Sequence, residues 1–105
     1  MIDKSNAKLE LTKARRDLTL ELRNAISDYK SMIDTYRANQ EAVRLSRASF
    51  EAQQDSFRAG DKTLTDLNDS ELQLTRNRLN EALTLYSIND AIARIERLIS
   101  GAGKR

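Results

Sequence analysis

Leu22, Tyr29, Tyr36, Val43, Phe50 and Phe57 fall seven residues apart without a miss, and this row limits what the chain can become. Side chains at that spacing stack along one face of an α-helix. A seven-residue repeat kept over several turns also requires an underwound helix whose seam stays against a partner. A companion row, Leu11, Leu18, Ala25 and Met32, runs through the first half and turns polar at Asn39, Ser46 and Gln53. Ile26, Ile33, Ala42, Leu45, Ala48 and Ala52 widen the apolar arc beside the two rows. One helix over about 6–59 is predicted, and fifty such residues would reach roughly 75 Å. Nothing compact needs a helix that long.

Composition removes the usual obstacles to it. The 105 residues contain no Pro and only three Gly, so the two strongest helix breakers are nearly absent. That length allows one domain, yet two helices alone cannot close a core, and self-association or a larger assembly is expected to cover what they leave open. The net charge is +2, with 11 basic and 9 acidic side chains in residues 1–60 and 7 of each in residues 61–105. Such balance, with no polybasic block, gives no nucleic-acid footprint. Arg23, Lys30, Arg37 and Arg44 do recur every seven residues. That row reads as a solvated flank of the seam or as a face toward an acidic partner. Glu41 with Arg44, and Asp34 with Arg37, are spaced for weak pairing along it.

The pattern breaks once, at Arg58–Asp69, which reads RAGDKTLTDLND. Gly60 suits the left-handed conformation that follows a helix end. Thr63 reads as an N-cap with Asp66 three positions on, a capping box with Asp in the usual Glu position. Asp66, Asp69 and Glu71 would sit where exposed amides favour negative charge. The chain is therefore expected to double back at a tip over 60–63 and to continue as a helix over about 64–99. Ser100, Gly101, Ala102 and Gly103 are expected to end that helix, leaving a polar tail over 100–105. In the second helix Leu72, Leu79, Tyr86 and Ala93 recur every seven residues, as do Leu85, Ile92 and Ile99, within an arc broad enough for more than one neighbour. The predicted fold is all-α, a long antiparallel two-helix coiled-coil hairpin in a single domain. Its second helix is shorter by roughly 20 Å. That mismatch points to a fragment or an obligate oligomer.

Much chemistry is excluded. Without His or Cys there is no imidazole base, no thiol nucleophile, no disulfide and none of the common zinc sites. No phosphate-binding glycine loop is present. Asp66 and Asp69 as an acid–base pair would need a pocket that an exposed tip lacks. The chain is not expected to be an enzyme, to bind a metal or to carry a cofactor. No apolar run approaches the length of a membrane-spanning helix, and the first residues, MIDKSNAK, lack a signal-peptide core. A targeting segment, if the protein is exported, is expected to lie outside this sequence.

The stretch from Phe57 through Gly60, Lys62, Thr63, Leu64, Asp66 and Asp69 to Glu71, continued by Leu74, Arg78 and Tyr86, resembles the periplasmic hairpin tip of TolC-like outer-membrane efflux and type I secretion channels. The run Leu22-Arg23-Asn24-Ala25 with Asp28-Tyr29 is similar to the start of the long helix in that family's second repeat. The resemblance covers the whole chain but about a quarter of a full family member. It implies a periplasmic part of a trimeric outer-membrane channel, whose hairpins associate side by side. It also implies a tip that closes the channel and docks the hairpins of a periplasmic adaptor (membrane fusion) protein. By position, Lys62 matches a basic latch residue, Asp66 and Asp69 match acidic residues of the constriction, and Phe57 matches an aromatic that is often Tyr. Phe57 has no hydroxyl for a latch, and Asn68 stands where an apolar residue is usual. The same residues leave two other readings open, an adaptor-type periplasmic hairpin and a generic coiled-coil scaffold.

Overall fold

A computed structural model of the chain describes residues 2–103. These form two α-helices and no strand, α1 over Ile2–Arg58 and α2 over Leu64–Gly103, joined by five residues. The chain is a helical hairpin. α2 runs on through Gly101, past the point where the Ser100–Gly103 stretch was expected to end it. A glycine in a helix costs about 1 kcal/mol relative to Ala but keeps its N–H in the ladder, so without a proline the helix continues.

By mutual packing the described residues fall into two units, one from the stretches up to Ser31 and from Ile88 onward, the other the continuous Met32–Ser87. In the continuous unit the helices run antiparallel, since Asn39 meets Thr84 and Asn80 whereas Ser46, further along α1, meets Asn77. The inward positions alternate three and four apart. On α1 they are Tyr36, Asn39, Val43, Ser46, Phe50 and Gln53; on α2 they are Leu67, Ser70, Leu74, Asn77, Glu81 and Thr84. The polar half of the companion row thus lies inside the seam. The other unit repeats the spacing with an apolar lining, Leu18, Leu22, Ala25 and Tyr29 of α1 and Ile88, Ala91, Ile95 and Leu98 of α2. Arg94 and Asp28 pair across it at 3.5 Å. Both side chains are about half exposed, so the pair contributes about 0–1 kcal/mol.

The core is thin. Among the described residues Ala25, Val43, Leu74, Ile88 and Ala91 are the buried apolar ones, and none of the large side chains is fully enclosed. Exposed apolar side chains lie on both helices, Leu9, Leu11, Leu20, Ile26 and Leu45 of α1 among them. Leu72, Leu79, Leu83 and Tyr86 are 49–72% exposed, and Leu85, Ile92 and Ile99 also face out. The two seven-residue rows that stand out in the second half of the sequence are therefore outward rows. A heptad names a face of a helix but not the side on which its partner lies.

Candidate functional site

The tip is built by two interlocking helix ends. At the end of α1, the Gly60 N–H donates to the Phe57 carbonyl at 3.0 Å and the Asp61 N–H to the Ser56 carbonyl at 2.9 Å. These two bonds are a Schellman motif, which needs a left-handed residue at Gly60, and its φ is +85°. The start of α2 is held by a reciprocal pair. The Asp66 N–H donates to Thr63 Oγ1 at 3.2 Å, and the Thr63 N–H donates to Asp66 Oδ2 at 3.2 Å. The Thr63 carbonyl meanwhile accepts from the Leu67 N–H at 3.2 Å, so Thr63 is the N-cap. Five residues between the helices thus reverse the chain, with several of the orphan helix-end groups satisfied from within.

That arrangement changes what Asp66 is free to do. Its carboxyl pKa is lowered, first by the Thr63 backbone N–H, then by the Thr63 hydroxyl, and only weakly by the charge of Lys62. One oxygen is committed to the cap. Asp69, Lys62, Asp61 and Arg58 stand exposed around it, and Phe57 is partly uncovered. The six sequence-predicted tip residues, Phe57, Gly60, Lys62, Thr63, Asp66 and Asp69, thus fall in two roles. Gly60, Thr63 and Asp66 make the reversal, and Phe57, Lys62 and Asp69 decorate it. Among the described residues no cluster of three or more acidic side chains comes together as a metal would require.

Behind the tip an open groove in the Met32–Ser87 unit is lined by Phe50 and Leu74 with Arg47, Glu51, Glu71 and Arg78 about them. The expected Glu41–Arg44 pair forms on the exposed side of α1, with Arg44 Nε donating to Glu41 Oε2 at 3.0 Å. That bond lowers the Glu41 pKa and raises that of Arg44. Sequence reasoning missed the bonds across the seam between Asn39 and Thr84 and between Ser46 and Asn77. The signal was present. Asn39 and Ser46 are seven apart on one helix, as are Asn77 and Thr84 on the other.

The chain is thus a helical hairpin with a charged, self-capped tip and an uncovered apolar face on α2. The model of the outer membrane efflux protein family matches residues 2–101, and the chain belongs to that family. Searches of curated proteins and of solved structures return no match. Among the described residues no helix is long and apolar enough to cross a membrane.

Proposed function

We infer that this chain is a periplasmic helical-hairpin part of a trimeric outer-membrane export channel, with its tip directed at a periplasmic adaptor. The observation that carries this reading is the outward face of α2. Leu72, Leu79, Leu83 and Tyr86 are exposed on one side of α2, interrupted by Arg76, on a chain that belongs to an efflux family. A soluble monomer rarely leaves such a face in water, and neighbouring hairpins of a helical barrel would cover it. The tip adds the second half of the reading. Lys62 and Asp69 are exposed beside the hydrogen-bonded turn, where they can meet charges on the adaptor's hairpin without disturbing the reversal. The channel's closure at this end would then depend on side chains held by the Schellman motif and the capping box.

The experiment is a pull-down of the chain against matched adaptor hairpins, comparing the parent with Lys62→Ala/Asp69→Ala. These changes leave Gly60, Thr63 and Asp66 in place, so the tip stays formed. Adaptor capture should fall at least several-fold and should weaken with added salt. Capture equal to that of the parent at all salt concentrations would remove the tip from docking.

A further inference from the structure

In the Met32–Ser87 unit, α2 has two candidate faces for α1, and the one turned inward is the less apolar. Inward lie Leu67, Ser70, Leu74, Asn77, Glu81 and Thr84; outward lie Leu72, Arg76, Leu79, Leu83 and Tyr86. Hydrocarbon burial by itself favours the opposite choice. What the inward face has is partners. Asn39 Nδ2 donates to Thr84 Oγ1 at 2.7 Å and to the Asn80 carbonyl at 3.3 Å. Asn77 Nδ2 donates to Ser46 Oγ and, at 3.4 Å, to the Ala42 carbonyl. Were the Leu79 and Leu83 side of α2 turned to α1, the Asn39 amide and the buried Ser46 hydroxyl would meet leucine and lose these bonds. A buried polar group left unpaired costs more than a formed hydrogen bond returns, and Ser46 is buried.

We propose that the pairs Asn39–Thr84 and Ser46–Asn77 select which face of α2 packs on α1, and so keep the Leu72, Leu79, Leu83 and Tyr86 face outward. The device works by penalising the alternative, as a single buried Asn does in fixing the pairing of simpler coiled coils. It spends stability on specificity, because an all-leucine seam would hold more tightly. This selection acts within one chain, whether or not the tip docks an adaptor.

The chain has no cysteine, so introduced thiols are unambiguous. Val43 lies between Asn39 and Ser46 on α1, and Glu81 lies between Asn77 and Thr84 on the inward face of α2. Val43→Cys with Glu81→Cys therefore reports inward packing, and Val43→Cys with Leu83→Cys reports the opposite face. A short thiol cross-linker should join the first pair within one chain and leave the second unjoined. The deciding variant moves the polar partners across α2, as Asn77→Leu, Thr84→Leu, Leu79→Asn and Tyr86→Thr. The ratio of the two cross-links should then shift toward the Leu83→Cys pair by at least about tenfold, the order of penalty set by one unsatisfied buried group. An inward cross-link retained in that variant overturns the proposal. Should circular dichroism show it unfolded, Asn39→Leu/Ser46→Leu decides instead with α2 untouched. A ratio shifted in the same direction supports the selection, and an unchanged ratio in a helical chain overturns it.

Discussion

Thr63 and Asp66 each do two things in the reversal, giving one hydrogen bond and taking one, so neither can be replaced without exposing the other. Thr63→Ala should lower stability by about 1 kcal/mol, read as a lower thermal midpoint. Adding Asp66→Ala to it should cost less than the two changes made separately, since they break one reciprocal unit. The pH behaviour follows from the sign of the shift. Asp66 has a lower pKa in the hairpin than in the unfolded chain, where about 3.9 is usual. Its contribution is therefore complete above that unfolded value and is lost as pH falls through the folded one. An amide-proton titration at Thr63 and Asp66 should be flat from about pH 5 to 8 and change only below about pH 4. Any pH response of the tip in the neutral range then has to come from groups other than Asp66. Gly60 is constrained for a different reason. A Cβ there would touch nothing within 4 Å, so the penalty for Gly60→Ala is the left-handed backbone alone, about 1 kcal/mol. Gly60→Asn should cost less, because Asn tolerates that conformation.

At the scale of the elements, α1 and α2 pair through two unlike linings, one apolar and one interrupted by Asn39, Ser46, Asn77, Glu81 and Thr84. Gln53 belongs to the second, and its Oε1 is buried without a hydrogen-bond partner among the described residues. Gln53→Leu should therefore stabilise the hairpin, by about 1 kcal/mol or more, because it removes an unpaired acceptor and adds hydrocarbon. A chemical denaturation midpoint that falls on this change would show that the carbonyl is satisfied in solution. Leu74 is the opposite case. It is the most buried large side chain among the core residues, and Leu74→Ala should cost about 2–3 kcal/mol. Gly101 is helical with open space around its Cα, so Gly101→Ala should gain up to about 1 kcal/mol.

For the whole molecule the outward face of α2 is the decisive feature. Leu79→Glu/Leu83→Glu places charge on that stripe without touching the seam or the tip. Sedimentation or light scattering should find the parent chain associating and the variant largely monomeric, with helicity unchanged. A parent that sediments as a monomer at high concentration would take the stripe out of channel assembly and leave the efflux family membership standing alone.

The local chemistry determined most of what the hairpin is. The Leu22-to-Phe57 row, the absence of proline, Gly60 and the Thr63–Asp66 spacing are enough for two helices and one reversal, because each acts within a turn or two of chain. The inward side of α2 was decided only in three dimensions. The two heptad rows of α2 lie on the outward face, and the choice of the inward one depends on Asn39 and Ser46 finding Thr84 and Asn77, 45 and 31 residues away. Periodicity reports that a helix has a partner; hydrogen-bond satisfaction between distant residues reports which side of it the partner takes.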